Sequence, residues 1–177
     1  MKKQSCQRAF TLVEVLLVVA LIGLIVVSAG SFWTSLSASR GQTAVRLVQS
    51  QLDYARDHAD LTNTTHYFIF DPATNVCGIY TRGDAGFVAI QEPFSKDALL
   101  VDFSGKQDAT TGVAVSAIDV GGHSLLGFDH DGVPVGTDAH GAGATVLRSA
   151  ATIELQVGEN KHLITVNPIT GTVVSDN

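Results

Sequence analysis

Phe10-Thr-Leu-Val-Glu14-Val-Leu-Leu-Val-Val-Ala-Leu-Ile-Gly-Leu-Ile-Val-Val-Ser-Ala-Gly30 is the stretch on which the reading of this 177-residue chain turns. From Val15 to Gly30 it carries no charge, and Ser28 is the one polar interruption. That is close to the roughly 17 residues a helix needs to cross a bilayer. Lys2, Lys3 and Arg8 precede the run and no acid does, so the positive-inside bias places the N-terminus in the cytoplasm and the remainder across the membrane. The expectation is a single-pass protein with a long exported tail. Glu14 is the anomaly, because a carboxylate costs about 2.5–3.5 kcal/mol at a membrane helix centre and less near an end. Two things can compensate it: the helix dipole with snorkelling to the headgroups, or a cation met within the membrane.

Lys2-Lys3, Arg8-Ala9 and Phe10-Thr11-Leu12-Val13-Glu14 resemble the prepilin signal of type IV pilins and type II secretion pseudopilins. That signal is a short basic leader, a small residue, then Phe at the new first position and Glu at the fifth. The resemblance implies that a prepilin peptidase cuts between Ala9 and Phe10 on the cytoplasmic face and that the freed amine of Phe10 is methylated. It also implies that Glu14 pairs with the N-terminal amine of a neighbouring subunit during assembly. The physics agrees, since a buried carboxylate facing a buried ammonium avoids the penalty either would meet alone. The family's usual residue before the cut is Gly; Ala9 is the smallest replacement, and processing is expected to survive it. An ordinary secretory signal has a shorter apolar core, and its cleavage site follows that core rather than preceding it.

Loss of a leader spanning residues 1–9 leaves 8 Lys and Arg against 17 Asp and Glu. Such a surface repels phosphate backbones, so no nucleic acid is expected as a partner. Cys6 would leave with the leader and Cys77 would stay, which rules out an intrachain disulfide in the mature chain. Within the strand-like Asn75-Val-Cys-Gly-Ile-Tyr80, Cys77 reads as a small core residue rather than a reactive thiol.

Beyond Ser31 the pattern turns amphipathic. Phe32, Leu36, Ala44, Leu47, Val48, Leu52, Ala55 and Ala59 recur mostly at three- and four-residue steps, with Arg40, Arg46, Asp53, Arg56, Asp57 and Asp60 between them. One helix from Phe10 to Leu61 is predicted, with Gly41 as a place for a bend and Thr62-Asn-Thr-Thr65 as its end. Nine short β-branched or aromatic runs follow: 66–70, 76–81, 86–91, 99–103, 112–118, 125–129, 152–157, 162–167 and 172–174. Ser104–Gly112 and Gly136–Ala144 read as mobile surface loops. The expected fold is α+β: a long N-terminal helix, transmembrane in its first half and amphipathic in its second, packed on an antiparallel β-sheet domain. The division is a leader (1–9), a membrane half-helix (10–30), an amphipathic half-helix (31–62) and a periplasmic β domain (63–177).

The tail carries a second resemblance. Leu126-Gly-Phe-Asp-His-Asp-Gly-Val-Pro134, Ile153-Glu-Leu, Lys161-His-Leu-Ile-Thr-Val166 and Thr170-Gly-Thr-Val173 are similar to the C-terminal region of GspH/FimT-type minor pseudopilins, and Leu52-Asp-Tyr-Ala-Arg56-Asp-His-Ala59 is similar to the end of their helix. Some members of the FimT branch bind DNA through basic residues near the C-terminus; here no Lys or Arg follows Lys161, which favours the secretion branch.

Asp129-His-Asp131-Gly132 places oxygen donors near a turn but lacks the other acids and the distal Glu of an EF-hand, so a turn with exposed acids is expected and no metal. His58, His66, His123, His130, His140 and His162 follow no zinc-ligand spacing. Neither Gly-x-Ser-x-Gly nor a Walker loop is present, so no catalytic residue and no cofactor are expected. The resulting expectation is a minor pseudopilin of a type II secretion pseudopilus, a structural subunit and not an enzyme, in the bacterial inner membrane with its β domain in the periplasm. Its partners would be the prepilin peptidase, other pseudopilins through their N-terminal helices, and the secretion machinery or exported cargo. The alternatives are a type IV pilus minor pilin acting in adhesion or DNA uptake, and a membrane-tethered β domain whose helix is only an anchor.

Overall fold

The computed structural model describes residues 11–92, 95–105 and 110–176 and, within them, all side chains but those of residues 27–38. Ala9 and Phe10, Cys6, and the side chains of Phe32 and Leu36 therefore lie outside the described residues. The chain forms two compact units, Met1–Leu36 and Ser37–Asn177. Helix α1, Leu12–Thr62, belongs to both.

Both ends of α1 are fixed by local chemistry. At the start, the Glu14 amide donates to the Thr11 carbonyl at 3.0 Å and to Thr11 Oγ1 at 3.4 Å. Thr11 is thus the N-cap, and Thr11-Leu-Val-Glu14 has the spacing of a capping box. At the other end Asn63 takes a left-handed φ of 53°, and the Thr64 amide reaches back to the Ala59 carbonyl at 3.3 Å. This is the six-to-one bond of a Schellman motif, with Asn in the place Gly usually holds. Thr62 Oγ1 adds a bond to the His58 carbonyl at 2.7 Å.

Among the described residues of the second unit, eleven strands form two antiparallel sheets. The first contains β1 (His66–Asp71), β2 (Val76–Gly83), β3 (Gly86–Ala89), β4 (Leu100–Asp102), β6 (Leu125–Phe128), β7 (Pro134–Thr137) and β8 (Thr145–Val146). Its order is β3-β2-β1-β6-β7-β8, with β4 also on β2. The second contains β5 (Val113–Asp119), β9 (Ala151–Val157), β10 (Asn160–Val166) and β11 (Val173–Ser175), in the order β11-β10-β9-β5. β9 and β10 form a tight hairpin in which Val157 pairs with Asn160 and Gly158 takes a φ of 61°, the position where a two-residue turn needs Gly. β9 shows the predicted alternation: Ile153, Leu155 and Val157 are buried between more exposed Thr152, Glu154 and Gln156.

The core lies between these layers. Ala44, Val48, Leu52, Ala55 and Ala59 of α1 are fully buried against Phe68, Ile79, Leu126 and Phe128 of the first sheet and Ile153, Leu155 and Ile164 of the second. Small residues recur on this helix face because the helix must approach two sheets at once. Cys77 sits in the same core, its Sγ 3.8 Å from Gln51 Oε1, and burial pushes its thiol up to about 12.

α1 continues through Gly41, where the imidazole of His162 occupies the space a Cβ would need. One reading is corrected here. Gly136–Ala144 is not a loose loop. Its first two residues finish β7, which is buried throughout, and Gly136 leaves room for the His123 ring. The following turn is pinned: Asp138 Oδ1 accepts from the His140 and Ala142 amides at 2.9 and 2.8 Å. The Gly141 carbonyl accepts from Tyr67 Oη at 3.3 Å and Arg82 at 3.1 Å.

Candidate functional site

Among the described side chains, those of the first half of α1 stand uncovered. Every large apolar side chain from Leu12 to Val26 is between 45% and 78% exposed. These residues follow one another around the whole helix rather than forming a stripe, which is the pattern of a segment buried on all sides by its surroundings. Among the described side chains of this half the polar ones are Thr11, the N-cap, and Glu14 in the first turn. The Glu14 carboxylate therefore sits at the positive end of the helix dipole, with exposed apolar side chains following it from Val15 to Val26, about three turns.

Among the described residues no helix is long and apolar enough to cross a membrane. Leu12 to Val26 would cover about 22 Å at the helical rise, against a hydrocarbon core of about 30 Å. The expected span, 10–30, extends past these described side chains at both ends.

Residues 4–30 match the family described as the prokaryotic N-terminal methylation motif. That match covers Ala9, Phe10 and Glu14. No curated protein sequence matches the chain. Among solved structures, the chain is similar to two structures of the minor pseudopilin EpsH from the type 2 secretion system of Vibrio cholerae. One matches with a TM-score of 0.52 and 12% identity over 76% of this chain and 94% of that one. The other matches with a TM-score of 0.51 and 11% identity over 75% and 89%. The fold is pilin-like.

Several polar groups of the second unit are engaged in turns and strand pairs. Asp129 spends Oδ1 on the Asp131 and Val133 amides at 3.0 and 2.8 Å, so its carboxylate closes the β6–β7 turn as expected. His130 and Asp131 are exposed beside it, and the three side chains could bring ligand atoms within 4.8 Å of one another. The turn itself accounts for Asp129. Glu154 is held by Ser116 at 2.6 Å and Lys161 at 2.8 Å, and these partners keep its carboxyl below the usual range.

One grouping was not visible in the sequence. His58 of α1 and His66 of β1 meet with Nδ1 and Nε2 2.6 Å apart, and Tyr54 stacks on His58 with ring centroids 5.1 Å apart. The two histidines are eight residues apart across a helix end, so no periodicity brings them together. The Schellman turn does.

Proposed function

We propose that this chain is a minor pseudopilin of a type II secretion system, a structural subunit assembled through its N-terminal helix and not an enzyme. The observation that carries the reading is the first half of α1: apolar on every side, with one carboxylate in its first turn and the methylation motif over the same residues. Apolar surface of that extent is driven out of water at about 25 cal/mol per Å², so it is covered by lipid before assembly and by neighbouring helices after it. Prepilin peptidase releases Phe10 by cutting after Ala9, and the Phe10 amine is methylated. Glu14 then receives the N-terminal ammonium of the adjacent subunit, which sets the stagger between neighbours. In water-free surroundings the pair is favourable only when both charges are present. The protein resides in the bacterial inner membrane, with the β domain in the periplasm meeting other pseudopilins, the secretion machinery or cargo. The intact mass of the protein purified from its native membrane tests this directly. A chain beginning at Phe10 and carrying one extra methyl group is expected; a chain that retains residues 1–9 overturns the proposal.

A further inference from the structure

We propose that His58 and His66 form an acid-sensitive latch that ties the last turn of α1 to the first strand of the first sheet. The two imidazoles share a 2.6 Å hydrogen bond, and their ring centroids are 4.9 Å apart. His66 is 2% exposed. It stands in register with Thr81 of β2 on one side and Phe128 of β6 on the other, neither of which can balance a charge. From the helix it is faced by His58, with Tyr54 stacked behind. From the intervening turn it is faced by Thr64, whose Oγ1 is 3.5 Å from His66 Nδ1. The charged groups of α1 nearby are occupied or point to water: Arg56 pairs with Asp57 at 3.2 Å, and Asp60 is exposed.

This arrangement assigns the protons. Thr62 Oγ1 gives its hydrogen to the His58 carbonyl, so the Thr64 hydroxyl donates to Thr62 Oγ1 and its oxygen is left to accept from His66 Nδ1–H; the Nε2 lone pair of His66 then accepts from His58 Nδ1–H. A proton taken up by His58 Nε2, outside the shared bond, leaves the latch closed. Once His58 carries that proton, a second one on His66 must go to Nε2, the accepting atom. Two N–H groups and two positive charges then face each other, with no carboxylate among the described residues that face His66, and the bond is lost.

The direction with pH follows. Burial, then the neighbouring His58, lowers the His66 pKa from its ordinary 6.5. The unfolded chain therefore takes up a proton at His66 before the closed latch does, and stability is lost as pH falls below about 6.5. The carboxyls held low by their partners, Asp71, Asp138 and Glu154, lose their contribution only below the ordinary carboxyl range near 4, so they do not account for a change between pH 6.5 and 5.

Amide hydrogen exchange on the full chain in detergent micelles, corrected for intrinsic rates, is the test. Protection at residues 59–68 is expected to fall by up to about tenfold per pH unit below 6.5 for one proton taken up, while β9 and β10 keep theirs. In His58→Gln, which retains a neutral partner for His66, the acid-dependent loss should shrink because one of the two repelling charges is gone. Imidazole nitrogen shifts in the unmodified protein give an independent reading: His66 Nε2 should remain unprotonated until protection is lost. Protection at 59–68 that is flat from pH 7 to 5, an unchanged profile in His58→Gln, or a protonated His66 with protection intact would each overturn the latch.

Discussion

The two halves of α1 share one backbone and differ in what surrounds them. From Leu12 to Val26 the side chains are apolar in every direction and exposed; from Ala44 to Ala59 the apolar residues form one buried face, with Arg46, Asp53, Asp57 and Asp60 on the other. The second half has its partner within the same chain, in the two sheets. The described apolar side chains of the first half are exposed, and on the proposed reading lipid or other copies of the same segment cover them. On that reading one helix serves two solvents, and its polarity pattern changes where the solvent does.

That contrast is open to experiment. The largest effect is expected from Glu14→Ala. Processing and domain stability should be unchanged while incorporation into filaments, measured as the sedimenting fraction, falls about a hundredfold, equivalent to about 3 kcal/mol for an ammonium left unpaired. Normal assembly by this variant, or full function after residues 10–30 are exchanged for an unrelated membrane span, would reduce the first half to an anchor. Next in size is a matched pair of truncations. Leu52→Ala should lower the unfolding free energy of the domain by about 2–5 kcal/mol in a denaturant titration, and Leu17→Ala should leave it within about 0.5 kcal/mol. Equal costs would show that the halves are not distinct.

Gly41→Ala sharpens the comparison from within the second half. Its added Cβ meets the His162 ring, and a loss of about 1–3 kcal/mol is expected from the crowding, despite the better helix propensity of Ala. His162→Ala in the same chain should recover most of it, and a purely additive double mutant would refute the packing account. The smallest effect concerns the β5–β9–β10 surface. Glu154 has a lowered pKa from Lys161 and Ser116, so its contribution is present above about pH 4.5 and is lost as the pH falls below that. Glu154→Gln should flatten that part of the stability profile; an unchanged profile would contradict the assignment.

Much of this architecture could be read in advance from residues whose local and tertiary roles agree. The helix, its end at Thr62, the buried face from Ala44 to Ala59 and the nine predicted strands all follow from periodicity and turn chemistry, and each is found. What escaped were positions where a small residue serves a distant neighbour. Pro134-Val-Gly-Thr137 has the composition of a loop, yet it is a buried strand: Pro134 starts it, where a missing amide is tolerated, and Gly136 yields its space to His123. The service Gly41 gives to His162 was hidden for the same reason. The pilin-like fold at 11–12% identity to EpsH makes the point again, since layers and topology persist while side chains change.

The linear order of residues therefore determined the two characters of α1, the carboxylate at its head and the antiparallel tail, because those depend on spacings of a few residues along the backbone. Tertiary structure alone decided the close approach of Gly41 to His162, the pinned turn at Gly141 and the contact between His58 and His66. Those are volumes and proton positions shared by segments far apart in the chain, and no local pattern encodes which side chain will arrive from the other side.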